Sequence, residues 1–447
     1  MKKLIVFLFM SLFLVTSSYA DTVSAFVKSS WETNSGTIWN SCEDATGWAA
    51  SGATASVSAN TAGTNVKEKL GSINLLVTAF NTTATFTKDL GAQNLSSAKN
   101  ITFLARFTGV DRITSVTIEI SSLVDFSKKF SYTMTNSAYV YEALRARWQR
   151  YLIGLPEFTN TGADTWATVR YIRITFNGQA TYGMSMSLDG LAYGYSLNKA
   201  KIMYTFDDVT DNVYTRAYPV MEANNQKGVV YIVSDWVGTG VGDDAYMSLS
   251  HLRTIYEDGW DVGNHSKTHS HYDAVSDAAC LADIKGGYDY LIDNGFNRSA
   301  KYFAFPYGEY EYADVATAPN ALTYCNTYSV FCRSTHLFPT IQPAILMNEQ
   351  DTYASGNLLL PVYYVFSTTS AATVNSYVDS IIAAGGMGIL LFHKIIADTD
   401  TADTVYKYKI GDFTTISNYI KTKQDAGTLD VVTMDDYYNS YLHKNGI

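Results

Sequence analysis

Two adjacent carboxylates, Asp207 and Asp208, close the run Thr205-Phe206-Asp207-Asp208. Side by side, such acids repel each other unless something positive holds them, so the pair is either a solvated turn or helix cap, or a seat for a cation. Further along, Gly259-Trp260-Asp261-Val262-Gly263-Asn264-His265-Ser266-Lys267-Thr268-His269 sets two histidines four residues apart. If that segment is helical or tightly turned, His265 and His269 face one point, as two ligands of one metal ion must. Either pair alone has an ordinary reading; together, two neutral imidazoles and one carboxylate make a facial metal site with coordination positions left open, which is catalytic rather than structural. The second carboxylate is then spare to accept a proton. His271 follows closely, and its spacing makes it a surface residue.

The elements that must position these groups change character along the chain. From about residue 21 to 195 the composition is rich in Ser, Thr, Asn, Gly and Ala, and the apolar residues recur every second position. Val116, Ile118 and Ile120 alternate with Thr117 and Glu119, and the run 171–176 behaves alike, the mark of half-buried antiparallel strands. Several of them between Gly/Asn/Asp turns predict an all-β sandwich, jelly-roll-like. After Ser196, short apolar strands (202–206, 229–233, 302–305, 329–331, 358–364, 389–392 and 431–433) alternate with helix-length stretches (246–256, 278–294, 373–384 and 413–424). Strand-helix repeats imply parallel strands joined by right-handed crossovers, and a domain of this size suits a barrel. Asp207 and Asp208 then stand at the C-terminal end of the first strand, the edge where barrels build active sites. The predicted division is 1–20 signal peptide, 21–198 sandwich and 199–447 barrel.

The leader is read from Lys2 and Lys3, an apolar run from Leu4 to Val15, and Ser18-Tyr19-Ala20. It predicts a secreted or periplasmic protein without a membrane anchor, since no later segment approaches eighteen uninterrupted apolar residues. Losing its two lysines moves the formal charge from −10 to −12, which argues against nucleic acid as a partner. Tyrosine is abundant at 34 residues, a residue that stacks on sugar rings but more often packs in sheets. Of the four cysteines, Cys42, Cys280, Cys325 and Cys332, the pair Cys325 and Cys332 flanks a short apolar stretch and is the favoured disulfide, free buried thiols being the alternative.

With these motifs in place the chain resembles the polysaccharide deacetylases of carbohydrate esterase family 4, the nodulation-factor deacetylase homology domain, over roughly residues 200 to 440. Its first motif matches Thr205-Phe206-Asp207-Asp208, its second His265-Ser266-x-x-His269, its third Phe303-Ala304-Phe305-Pro306-Tyr307-Gly308 and its last Leu390-Leu391-Phe392-His393. The resemblance implies a distorted (β/α)7 barrel in which Asp208, His265 and His269 hold a divalent metal, typically zinc, with cobalt or nickel also accepted. Asp207 would be the general base and His393 the general acid. The backbone N–H of Tyr307, after Pro306, would receive the developing oxyanion, and Leu390 would line the substrate site. The implied reaction is hydrolysis of acetyl groups on an N-acetylated amino-sugar polysaccharide, of poly-N-acetylglucosamine, chitin or peptidoglycan type. An O-acetyl esterase acting on xylan or a similar glycan, and a degenerate barrel that only binds sugar, are the rival readings.

Three departures from the family pattern have consequences. Ala304 stands where the family carries the arginine that orients the base; Arg333, an isolated arginine at a predicted strand end, could supply the guanidinium instead. The Asp-Trp motif that tunes the acid histidine is absent, leaving Asp351 as one candidate partner for His393. Val209 replaces a glycine after the acid pair and would narrow the site. These variations resemble the exopolysaccharide branch of the family. The first domain resembles jelly-roll carbohydrate-binding modules, in which early and late acids share a structural calcium, here Glu43 and Asp189. Trp31, Trp39, Trp48, Trp148 and Trp166 are either sugar platforms or core.

Overall fold

The computed structural model describes residues 33–52, 54–61, 72–78, 83–108, 113–135, 148–178, 183–310, 321–335, 358–360, 362–401 and 404–445. The expected signal peptide, Trp31 and Asp351 lie outside these, as does the side chain of Trp148.

The first half is two antiparallel sheets. One runs Ala55–Asn60, Ser72–Val77, Met184–Leu197, Asn100–Thr108, Trp148–Gly154, with Thr33–Asn40 also paired to Met184–Leu197; the other runs Thr159–Thr161, Lys129–Thr135, Ile113–Ser121, Val169–Gly178, Thr83–Gln93, Trp48–Ser51. The period-two pattern sets the register. Ile172, Ile174 and Phe176 stand opposite Ile120, Ile118 and Val116, and all six are buried, so one face of each strand fills the core. Trp39 and Trp48 are buried in that core, and the ring of Trp166 stacks on Phe130 at 3.7 Å.

The second half is a parallel sheet in the order Leu358–Leu360, Phe331–Arg333, Tyr302–Ala304, Asp261–Asn264, Gly228–Ile232, Ala200–Asp207, Met387–Phe392, Tyr363–Tyr364, with Leu429–Val431 also paired to Ala200–Asp207. Its two edge strands are separated in the chain by residues 361 and 362 alone. The two edges must therefore approach each other, and the sheet curls into the distorted barrel. The strands Ala200–Asp207 and Met387–Phe392 are buried at every position and mostly apolar, because helices cover the outside and side chains fill the inside. The helices Leu249–Glu257, Asp277–Asp293 and Ala371–Ala384 each begin at a serine (Ser248, Ser276, Ser370) whose side chain accepts a backbone N–H three residues on. The helices Ala321–Tyr328 and Met434–Asn445, and the strand Asp261–Asn264, are additions to the sequence reading.

The sandwich meets the barrel at the N-terminal ends of the barrel strands. Leu152 is buried in the barrel core, Asn100 Nδ2 donates to Ala384 O at 2.6 Å, and Leu197 N–H donates to Gly385 O at 2.6 Å. Gly385 closes its helix at φ 69° and a Cβ there would meet Ser196 at 2.5 Å, so this contact requires glycine. The length of the strand Ala200–Asp207, about 23 Å at 3.3 Å per residue, separates that contact from the strand's other end.

The favoured disulfide is not formed: among the described residues, which include all four cysteines, no disulfide is present. Cys325 lies on the helix Ala321–Tyr328 that packs against Asp277–Asp293, which places it toward Cys280, while Cys332 lies in the strand beneath. All three pack as small hydrophobes in one apolar cluster. Burial pushes the Cys280 thiol up to about 12, with Asp283, Asp277 and Cys325 adding to it. No helix among the described residues is long and apolar enough to cross a membrane.

Candidate active site

Asp207 is the last residue of the strand Ala200–Asp207, and the chain turns sharply after it: Asp208 and Val209 have φ of 61° and 40°. Two consecutive non-glycine residues in the left-handed region store strain of about 1–3 kcal/mol each, a cost that accompanies turning one carboxylate inward and the next outward. Val209 itself is buried in the barrel core.

His265 follows the strand Asp261–Asn264 directly, and the chain then makes a tight turn rather than a helix, with Ser266 at φ 73° and His269 at φ 62°. That turn brings His269 back beside His265, ring centroids 4.9 Å apart. Much of the chain around it exists to hold the turn. Asn264 Oδ1 accepts the Ser266 N–H (2.8 Å), Ser266 Oγ accepts the His269 N–H (2.9 Å), and Asp283 Oδ1 accepts from both Thr268 N–H and Thr268 Oγ1 at 2.7 Å. Asp283 and Gly287 on the helix Asp277–Asp293 were not legible as functional; a Cβ on Gly287 would meet Asn264 Oδ1 at 2.1 Å and the Ser266 backbone at 2.8 Å.

One carboxylate oxygen and two imidazole nitrogens, from Asp208, His265 and His269, lie within 4.8 Å of one another. Asp208 Oδ1 is buried without a hydrogen bond among the described residues, and what faces it are Nε2 of His269 at 3.2 Å and Nε2 of His265 at 3.5 Å. The donor chemistry fits a divalent cation. His265 Nδ1–H donates to Ala304 O at 2.8 Å, which fixes the tautomer and leaves Nε2 as a lone-pair donor toward Asp208. Burial lowers the His265 imidazole to about 4, against the opposing pull of Asp207 and Asp208, so it is neutral near pH 7. Burial tends to raise the Asp208 carboxyl, but His269, His265 and His393 outweigh it and hold the group ionised well below the usual carboxylate range.

Asp207 is 1% exposed and Arg333 0%, and Arg333 Nη2–H donates to Asp207 Oδ1. Arg333 is the register partner of Ala304 across the adjacent parallel strands, so a guanidinium arrives at the level of Ala304 from the neighbouring strand. Its other contacts are Ser334 O (Nη1, 3.3 Å) and the face of Tyr231 at 4.9 Å. Asp207 Oδ2 stands 3.9 Å from His265 Nε2.

His393 follows the strand Met387–Phe392, and Leu390, three residues earlier, is wholly buried in the barrel core. The hydroxyl of Tyr364 stands 3.2 Å from His393 Nε2 and 3.4 Å from Nδ1. Burial lowers the His393 imidazole, while Asp207 and Asp208 pull the other way. In the sequence Tyr364 is only the last residue of the expected strand 358–364; its signal as a functional residue is that place at a strand end, beside the strand that precedes His393. Pro306, Tyr307 and Gly308 form a single tight turn after Tyr302–Ala304, with Tyr307 at φ 55° and its ring edge-on to His269 at 4.5 Å. His271 is exposed, stacked on Tyr307 at 3.5 Å and paired to Glu309 at 2.9 Å. In the sandwich, Asp189 is buried and both it and Glu43 act on Cys42, whose thiol is pushed up to about 12 chiefly by burial.

Comparison with known proteins adds the lineage. Residues 194–324 match the profile of the polysaccharide deacetylase family. The matched span holds Asp207, Asp208, His265, His269 and the 306–308 turn, while Arg333 and His393 lie beyond it. A poly-β-1,6-N-acetyl-D-glucosamine N-deacetylase of Staphylococcus aureus is 29% identical over 120 residues, covering 25% of this chain and 41% of the relative. The chain thus spans about two fifths of the length of the curated relatives it matches. Among solved structures, a family 4 carbohydrate esterase from Streptomyces lividans in complex with acetate is 16% identical, covering 52% of this chain and 91% of that one, with a TM-score of 0.31. A family 11 carbohydrate-binding module from Clostridium thermocellum is 13% identical, covering 35% and 94%, with a TM-score of 0.27. The barrel's first strands, the acid pair and the histidine turn all fall inside the matched span, so the likeness of residues 194–324 to the polysaccharide deacetylase family includes the convergent carboxylates and imidazoles described above.

Proposed function

We propose that this chain is an exported, metal-dependent deacetylase that hydrolyses acetamide groups on an amino-sugar polysaccharide. One observation carries the reading: three convergent ligand atoms from Asp208, His265 and His269 beside a second carboxylate, Asp207, that an arginine already holds. A divalent cation held by Asp208, His265 and His269, zinc by preference for two imidazoles and a carboxylate and cobalt or nickel as substitutes, would supply Lewis-acid polarisation and bring the pKa of water from 15.7 toward about 7.

Asp207 accepts the proton of the attacking water. Its pairing with Arg333 fixes its direction. The Tyr307 N–H donates to the oxygen on which charge develops, an interaction worth roughly 3 kcal/mol where such donors have been removed elsewhere. His393 protonates the departing nitrogen, since an amine anion cannot leave at neutral pH; general acid catalysis of this kind contributes about 10²- to 10⁴-fold. Pro306 sets the Tyr307 turn, and Leu390 contributes to the apolar strand that delivers His393. The sandwich tethers the enzyme to polymer, raising the local substrate concentration.

Acetate release from acetylated chitosan, poly-N-acetylglucosamine, peptidoglycan and acetylated xylan, by protein reconstituted with zinc, tests the proposal. Release from an amino-sugar polymer is the expected result. Release from xylan alone would make the chain an O-acetyl esterase, and no release from any of the four would leave a sugar-binding barrel.

A further inference from the structure

Aromatic side chains are numerous in this protein, yet among the described residues only two are exposed, Tyr307 at 48% and Tyr406 at 50%. Both border the site. Tyr307 lies against His269, on the metal-ligand side, and Tyr406 against His393, ring centroids 5.0 Å apart, on the side of the acid histidine. They flank one site: Asp207 and His393 follow the register partners Phe206 and Phe392 on adjacent strands, and Asp208, next to Asp207, faces His269 Nε2 at 3.2 Å. Each ring is also preset. Tyr307 is fixed by its tight turn and by the stacked His271. Tyr406 is held through its backbone, with Lys394 N–H donating to its carbonyl at 3.2 Å and Ser367 N–H donating to that of Val405 at 2.8 Å.

A single exposed tyrosine is ordinary on a protein surface; what marks these two is that the exposed phenylalanine, tyrosine and tryptophan rings among the described residues are confined to the two sides of the site. A tyrosine offers an apolar ring face with a hydroxyl at its tip and loses little conformational entropy on binding, which suits the C–H face of a pyranose flanked by hydroxyl groups.

We propose that Tyr307 and Tyr406 are paired sugar platforms on opposite sides of the reacting acetamide, so that the substrate is an internal stretch of an extended polysaccharide crossing the barrel mouth rather than a free sugar or a chain end. The inference rests on the deacetylase reading for which bond is broken, but not for the binding surface itself. A site built for chain ends needs a platform on one side only; platforms on both sides are useful to a chain that continues past the reacting unit in both directions.

The test uses the full chain and its Tyr406→Ala and Tyr406→Trp variants, each checked for an unchanged melting temperature, with N-acetylglucosamine dimer and hexamer as substrates. Tyr406→Ala is expected to raise KM for the hexamer about tenfold, equivalent to about 1.4 kcal/mol, with a much smaller rise for the dimer, and Tyr406→Trp to recover most of the loss. A hexamer KM within twofold of wild type, or equal losses on dimer and hexamer, would overturn the platform while leaving the deacetylase reading intact. If the wild type releases no acetate from either oligomer, the deacetylase reading fails and electrophoresis through gels containing acetylated chitosan decides the platform. Retardation of the wild type that a Tyr307→Ala/Tyr406→Ala double variant loses supports it, and equal mobility overturns it.

Discussion

Removing the guanidinium of Arg333 should damage both stability and turnover, and the structure sets the scale. Arg333 and Asp207 are both shut off from solvent and paired to each other. Breaking such a buried pair by taking one partner typically costs 3–5 kcal/mol, because the survivor is a buried charge with nothing opposite it. Arg333→Met keeps most of the volume and isolates that electrical effect; Asp207→Asn removes the other charge. Each single variant should lose about 3–5 kcal/mol, and the double variant should lose markedly less than their sum, leaving a coupling of about 3 kcal/mol. The contacts of Arg333 with Ser334 O and Tyr231 account for part of what remains. With two domains a single unfolding midpoint is ambiguous, so hydrogen exchange of peptides from the strand Ala200–Asp207 is the appropriate readout of the barrel. Single losses below about 1 kcal/mol that add to within about 0.5 kcal/mol in the double variant would refute the reasoning.

Other consequences are as specific. Gly287→Ala forces a methyl into Asn264 Oδ1 and the Ser266 backbone; it should cost about 1–3 kcal/mol and weaken metal binding, read by melting and by metal titration, although residue 287 touches no ligand side chain. His265 is depressed to about 4 in the folded metal-free protein against 6.5 in the unfolded chain, so below pH 6.5 the unfolded state binds the extra proton. Stability is therefore complete above about 6.5 and falls as pH drops toward 4, by about 3 kcal/mol in total; a urea series on the chelated protein checks it, and His265→Gln should flatten the slope. His393→Ala should reduce acetamide hydrolysis by about 10²- to 10⁴-fold yet reduce hydrolysis of an activated aryl acetate far less, since that leaving group departs without a proton.

Much of the architecture is legible because it rests on local patterns. Alternation at 116–120 and 171–176 sets two strands that pair with their apolar positions opposed, and the step to strand-helix repeats after Ser196 coincides with the end of the sandwich strand at Leu197. The strand Asp261–Asn264 is hidden because Val262 is its only large apolar residue, and its neighbours Asp261 and Asn264 are buried polar groups whose partners come from distant residues. Likewise the turn holding His265 and His269 depends on Asp283, fourteen residues beyond His269, a contact no short-range spacing reveals. Arg333 stands out as an isolated cation at a strand end, but its destination follows only from strand order, which sets it beside Ala304. The cysteines mislead for the same reason: closeness in sequence puts Cys325 and Cys332 together, whereas helix packing turns Cys325 toward Cys280.

The proposed chemistry depends most on one cation shared by Asp208, His265 and His269, with Asp207 left unliganded. Calorimetric titration of the chelated protein with zinc measures this directly. One tight equivalent is expected, weakened at least a hundredfold by Asp208→Ala or His269→Ala and left within a few-fold by Asp207→Asn. No binding by the wild type, or affinity lost through Asp207→Asn but not through Asp208→Ala, would contradict it.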